Sequence, residues 1–418
     1  MSDALDAGAA LESLAPGPDA LDAAPLLREP SGGVPEPLTT QRELDDLVAR
    51  MREGVGPLAV DAERASGYRY SQRAYLVQLR REGVGTALID PIALPDLSRL
   101  NDAIGAAEWI LHAANQDLPC LAELGLVPQR LFDSELAGRL LGDERVALGT
   151  MVDQHLGIRL EKGHSAADWS TRPLPHEWLV YAALDVELLL ELREALLAAL
   201  HAAGKQLWAE QEFETVRLAP PSAPRVDPWR RTSGIHKVRN RRQLAIIRSL
   251  WLARDGYACE RDIAPGRILP DSAIIDAAKA DPKRPADLAA LAVFGGSRQR
   301  RQLGRWFAAI EQARQLGEDE LPPTTGPVGD DMPPSARWRD RDPVAAERLA
   351  KLREVVTGLA GENSVLAQNL LPSEIVRRVA WQPPDHPTQL SVAARLRELG
   401  ARPWQVEITG QPLAAALA

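Results

Sequence analysis

Trp178-Leu-Val-Tyr181-Ala-Ala-Leu-Asp185-Val-Glu-Leu-Leu-Leu190 decides the fold, because it reads as a helix with one residue out of place on its oily side. Its apolar positions recur at three- and four-residue steps, the period of a helix packed along one face, and Asp185 interrupts them. Tyr181 stands about one turn earlier, so its phenol projects beside that carboxylate. A tyrosine and an aspartate so placed usually make only a hydrogen bond at a core boundary. The pair gains meaning if other carboxylates gather upstream.

Upstream, Gly56 to Glu63, Ala74 to Arg80 and Val84 to Asp90 have strand character. The Gly-containing link between the second and third is of hairpin length, which predicts an antiparallel meander. A fourth strand, Glu108 to His112, runs into a helix from about Gln116 to Leu124, and helices dominate to about residue 215. The expected fold is α/β, a mixed sheet flanked by helices. Asp61 and Glu63 close the apolar strand Pro57-Leu58-Ala59-Val60, and their two-residue spacing puts both side chains on one face. Asp117 falls in the first turn of the helix after strand four. Taken singly, Asp61 and Glu63 end a strand and Asp117 favours a helix N-terminus. Taken together, they sit at the strand ends and helix starts where sheet-based sites assemble, and clustered carboxylates repel unless a cation neutralises them. Hard oxygen donors without His or Cys clusters point to Mg²⁺ or Mn²⁺.

Asp61-Ala-Glu63, His112-Ala-Ala-Asn-Gln-Asp117 and Tyr181-Ala-Ala-Leu-Asp185 resemble the three motifs of the tyrosine-type DEDD 3′-5′ exonucleases, and among them the ribonuclease D family. Leu88-Ile-Asp90-Pro91, Leu160-Glu-Lys162 and Ala167-Asp-Trp169-Ser-Thr-Arg172-Pro173-Leu174 are also typical of that group, and the resemblance spans about residues 38 to 205. It implies a ribonuclease H-like fold and two divalent ions. Asp61 would bridge the ions, Glu63 and Asp185 would complete the one that activates water, Asp117 would support the second, and Tyr181 would orient the water. His112, Lys162 and Trp169 are candidate substrate contacts, with structural roles as the alternative for each. Two departures stand out: Ala62 replaces the usual Thr, and Arg64 an aromatic residue near the substrate end. Gln116 replaces a frequent Glu.

The chain has 418 residues, a net charge of −9 and 45% hydrophobic residues. The charge is uneven: positions 1–60 carry 11 acidic and 4 basic residues, whereas positions 225–314 carry 9 and 19. A negative total therefore conceals a basic domain. Cys120 and Cys259 lie far apart, which suits a reducing cytosol and no disulfide framework. No apolar run reaches the roughly 20 residues of a membrane helix and no signal peptide is evident, so a cytoplasmic protein without membrane partners is expected.

Residues 1–37, rich in Ala, Pro, Gly and acids without period, read as a disordered acidic tail. The catalytic domain follows at 38–210, with Thr-Thr-Gln-Arg-Glu from Thr39 opening a capped helix. A linker is expected at 211–228, a helical domain at 229–320, a second linker at 321–336 and a second helical domain at 337–418. The two helical halves look like copies, since Ile268-Leu-Pro to Ala278 matches Leu370-Leu-Pro to Ala380 about 100 residues later. Both resemble the all-α HRDC domain found after ribonuclease D and RecQ-type modules. Arg230, Arg231, Arg239, Arg241 and Arg242 concentrate the basic surplus beside Trp229, a pattern for RNA backbone contact or for a solvated face. These features imply an exoribonuclease trimming the 3′ ends of structured RNA such as tRNA precursors. A DNA exonuclease and a catalytically silent nucleic-acid-binding protein are the alternatives.

Overall fold

The computed structural model describes residues 24–161, 163, 166–221, 223–325 and 332–418. The first long helix, Gln41–Glu53, opens on a capping box between Thr40 and Glu43 and buries Leu44, Leu47, Val48 and Met51. The described residues contain seven strands: β1 (Leu26–Leu27), β2 (Val55–Arg64), β3 (Ala74–Glu82), β4 (Gly85–Ile89), β5 (Glu108–Leu111), β6 (Arg130–Asp133) and β7 (Arg159–Leu160). Five of them form a sheet in the order β4-β3-β2-β5-β6. β2, β3 and β4 pair antiparallel as the meander, while β5 and β6 add parallel to β2. This is the expected mixed sheet, and the strand carrying Asp61 and Glu63 is central in it.

Three local expectations change. β6 was not foreseen, because a four-residue strand whose last residue, Asp133, caps the next helix offers no sustained alternation. The helix expected from Gln116 to Leu124 is a 3₁₀ turn, Ala114–Gln116, followed by a short helix, Leu118–Ala122, with Pro119 in its first turn. The tail assignment is overturned for residues 24–37. There β1 pairs with β7, and Ser31 donates to Glu187 from its N–H (2.9 Å) and hydroxyl (2.6 Å). Two-residue strands leave no periodicity to read. Residues 1–23 lie outside the described residues.

The C-terminal half is helical. Its first set has a 21-residue helix, Arg241–Arg261, then Pro265–Ile268 and Asp271–Ala280. The second repeats the plan with Pro343–Glu362, Ala367–Leu370 and Ser373–Trp381. Each set has a four-residue helix, a short Leu-Pro step and a helix starting behind the proline, which explains the internal match. The linker expected at 211–228 begins later, since the helix Gln206–Arg217 occupies its first part. Among the described residues no helix is long and apolar enough to cross a membrane.

The two sets attach differently. The second shares one continuous apolar core with the catalytic domain. Trp404 stacks on Trp208 at 4.6 Å and donates to Glu212 at 3.0 Å, where Arg402 also pairs at 3.0 Å. Lys205 donates to the carbonyl oxygens of Leu140 (2.7 Å) and Ser364 (3.1 Å). By contrast, the first set closes its own core around Trp306, Phe294, Leu250 and Ile274. It meets the β2–β3 connection mainly through polar contacts, with Tyr70 also packed against its core. The Ala264 N–H donates to the Tyr68 carbonyl at 3.0 Å, the Ser71 N–H to Asp262 at 2.8 Å and Arg267 to the Gly67 carbonyl at 2.7 Å.

Candidate active site

Alternation along β2 puts Asp61 and Glu63 on one face, and the helix His176–Glu187 brings Asp185 to them. Carboxylate oxygens of Asp61, Glu63 and Asp185 lie within 4.8 Å of one another. Tyr181, one turn before Asp185, hydrogen-bonds its carboxylate. Asp117 stands beside this trio rather than within it. Its side chain makes no helix-capping bond and faces Arg64 at 3.5 Å. A register shift between Glu63 and Arg64 interrupts the ladder where that guanidinium turns toward Asp117.

Desolvation raises the pKa of every acid. Asp61 is pushed up to about 6, opposed by a 2.9 Å bond from the Ala62 N–H and by Arg64. Asp117 is pushed up to about 8, by desolvation and then by the charge of Asp61. Glu63 and Asp185 rise well above the carboxylate range, first through burial and then through the neighbouring carboxylates. Buried acids in mutual repulsion, arranged as hard oxygen donors, fit a divalent cation, which would reverse the local electrostatics.

A supporting layer fixes these groups. Asp133 accepts from the N–H groups of Ala113 (3.1 Å) and Ala114 (2.9 Å), and it also caps the helix Ser134–Leu141. It thereby pins the left-handed turn at Ala113 that leads to Asp117. Arg172 pairs with Asp90 at 2.7 Å and donates to the Tyr75 and Trp169 carbonyls, tying the Ala167–Leu174 stretch to the end of β4. Asp133 and Arg64 are the residues that sequence reasoning left without a role. An Asp three residues before Leu136 is a capping signal in the sequence, but its second task depends on a turn 20 residues away.

The candidate substrate contacts fare differently. Trp169 is fully buried and backs Tyr181 at 6.3 Å and Trp178 at 5.5 Å, so it cannot stack on a base. His112 lies 2.9 Å from the Ser134 hydroxyl, and burial lowers its pKa. Its bond is structural. Lys162 lies outside the described residues.

Three members of the basic run bind the protein itself. Arg241 donates to the carbonyls of Glu318 and Leu321, at 2.9 and 2.8 Å. Arg242 donates to the Leu316 carbonyl at 2.6 Å and pairs with Glu318 at 2.9 Å. Arg230 pairs with Asp227 at 3.0 Å and lies 4.3 Å over the Trp229 ring. These groups hold the end of the domain against its long helix, which corrects their reading as a backbone-binding patch. Arg231 and Arg239 remain exposed.

Residues 35–201 match the 3′-5′ exonuclease family, 243–310 the HRDC domain, and 331–417 the 3′ to 5′ exonuclease C-terminal domain. Fold and acidic site thus define a 3′-5′ exonuclease with helical C-terminal domains, the second of which matches a different family from the first. A ribonuclease D of Zymomonas mobilis is 34% identical over 325 residues, 73% of this chain and 82% of that protein. That of Escherichia coli is 30% identical over 289 residues, 66% of this chain and 76% of that protein. The chain belongs to the ribonuclease D family. Among solved structures, a protein from Bifidobacterium adolescentis superposes with a TM-score of 0.86 at 37% identity, covering 94% of this chain and 99% of that one. Escherichia coli RNase D, an exoribonuclease involved in structured RNA processing, superposes at 0.65 with 26% identity, covering 91% and 98%. Family membership supports 3′-5′ exoribonuclease activity, and the exonuclease fold with its acidic cluster implies a divalent metal.

Proposed function

We propose that this chain trims the 3′ ends of structured RNA, such as tRNA precursors, by hydrolysing the terminal phosphodiester and releasing nucleoside 5′-monophosphates. The convergence of Asp61, Glu63 and Asp185 within 4.8 Å, with Asp117 beside them, carries the reading. Asp61, Glu63 and Asp185 would hold one Mg²⁺ or Mn²⁺, and Asp61 with Asp117 a second. Bound ions supply charge stabilisation for the attacking and leaving oxygens of an in-line displacement. Tyr181 acts as a neutral phenol: burial, then the Asp185 and Glu63 charges, raise its pKa, so it keeps its proton and can hydrogen-bond the attacking water without ligating a metal. Trp169 keeps that phenol in place.

Contact with the RNA backbone on the first helical set falls to exposed arginines that no carboxylate neutralises among the described residues. Arg261, Arg298, Arg301 and Arg305 are exposed and have no ion-pair partner among the described residues. Arg305 and Arg261 lie 4.3 and 5.6 Å from the Tyr257 ring, and a cleft of about 270 Å³ runs between Tyr257, Arg298 and Arg301. This combination suits phosphates flanking a stacked base.

Digestion of matched 5′-labelled RNA and DNA oligonucleotides, with Mg²⁺, Mn²⁺ or chelator, tests the activity. Shortening of RNA from the 3′ end that Asp185→Asn abolishes, by at least about a thousandfold, supports the assignment. Undiminished cleavage by that variant removes it, and preferential digestion of DNA replaces RNA as the substrate. Alanine at Arg261, Arg298 and Arg301 should flatten the salt dependence of RNA affinity by roughly 0.7 per lost contact.

A further inference from the structure

Arg64 is one of the residues by which this site departs from the family pattern, and it is the cation set against the acid cluster. Its guanidinium meets Asp117 at 3.5 Å, with the two side chains 25% and 9% exposed. Its charge also opposes the upward pKa shifts of Asp61 and Glu63, so it stands near three of the four acids. Asp117 is the acid left out of the tight trio and spends no oxygen on its helix cap. Behind Arg64 the backbone is held: the Ala65 carbonyl accepts from the N–H groups of Tyr68 and Arg69, and Tyr68 and Ser71 are clamped by the first helical set.

A guanidinium and a divalent ion repel across a few ångströms when both face one carboxylate. A guanidinium also pairs with phosphate at least as well as with carboxylate, in the same forked geometry. Resting on the metal-dependent reading above, we propose that Arg64 is a resident counter-charge for Asp117, and that the second metal subsite opens only when a phosphate of the bound strand draws the guanidinium away. The free protein then holds one ion in the Asp61–Glu63–Asp185 trio. The strand-bound protein holds two. Loading the second ion is thereby tied to the presence of a substrate, and Arg64 is a positioning residue for metal and strand together.

The experiment is Mn²⁺ binding, by calorimetry and by electron paramagnetic resonance, to chelator-treated full-length protein with and without uridine 5′-monophosphate as a probe for the terminal phosphate. Wild type should bind one Mn²⁺, with the second at least tenfold weaker. Arg64→Met, which keeps the side-chain length without the charge, should tighten the second ion at least tenfold. Arg64→Lys should resemble wild type. The nucleotide should tighten the second ion at least tenfold in wild type and much less in Arg64→Met. Circular dichroism checks folding, and Arg64→Gln replaces Arg64→Met if that variant unfolds. Equal second-ion affinity in wild type and the neutral variant overturns the role of Arg64 while leaving the metal site standing. Absence of any Mn²⁺ binding in wild type removes the metal reading and this inference with it.

Discussion

The two helical sets follow one plan, yet one is built into the catalytic body and the other is docked against it. Each has a long helix of 20 or 21 residues, a four-residue helix and a helix starting after a proline. The second set puts Trp404 against Trp208 and closes a core that runs on into the sheet. The first closes a separate core, with Tyr70 of the β2–β3 connection packed against it, and meets that connection mainly through hydrogen bonds and charge. A shared helical plan therefore does not imply shared work. An apolar seam makes a structural partner, whereas a polar one beside the acids leaves a surface that can serve the substrate.

The sharpest way to break this contrast is to open the shared core. Trp404→Ala should cost about 3–5 kcal/mol and lower the melting of the catalytic domain and second set as a single transition. Two separate transitions in calorimetry would show that the core is not shared. Trp306→Ala removes a fully buried side chain of the first set at similar cost. That loss should stay confined to the first set, with cleavage of a short single strand largely retained. If both tryptophan variants abolish short-strand cleavage alike, the distinction between built-in and docked fails.

Arg242→Ala strips the Leu316 carbonyl and Glu318 of a partner. It should destabilise the first set by about 1–3 kcal/mol, measured by urea unfolding of its transition, whereas Arg231→Ala and Arg239→Ala at exposed positions should stay within about 0.5 kcal/mol. Equal effects from the two groups would return the whole run to the solvated face.

A further effect concerns pH. Asp61 and Asp117 have ordinary values of 3.8 and are pushed up to about 6 and about 8. From about pH 4 to 8 the native state therefore holds more protons than the unfolded chain, and stability falls as pH rises through that window. Because the acids lie in the body shared with the second set, chelator-treated protein should lose melting temperature there, with the first set unmoved and added Mg²⁺ restoring the loss. A catalytic-body transition that rises with pH without metal would contradict the clustered-acid geometry.

Much of the site was legible because its signals are local. Asp61 and Glu63 share a strand face by a period of two, and Tyr181 and Asp185 share a helix face by a period near four. The meander was legible from a hairpin-length glycine link, and the common plan of the two helical sets from Leu-Pro steps about 100 residues apart. Runs of charge were less informative. Arg230, Arg241 and Arg242 look like a solvent-facing patch in sequence, but their partners are carbonyls and carboxylates that include groups some 75 residues away.

By itself the sequence determined most of the longer elements, the order of the motifs and the chemistry of the donors, because strand and helix periods and side-chain types are carried within a few residues. Only the tertiary structure decided that the segment at Leu26–Leu27 is a strand, that Trp169 is buried behind Tyr181, that Asp133 pins the turn before Asp117, and that Arg64 rather than a fourth carboxylate neighbour answers Asp117. Each of these joins residues far apart in the chain or depends on which way a side chain turns at a break in the ladder. Such contacts form only when burial of distant surfaces offsets the entropy of closing the loops between them, and nothing in a local pattern records which distant surfaces those are.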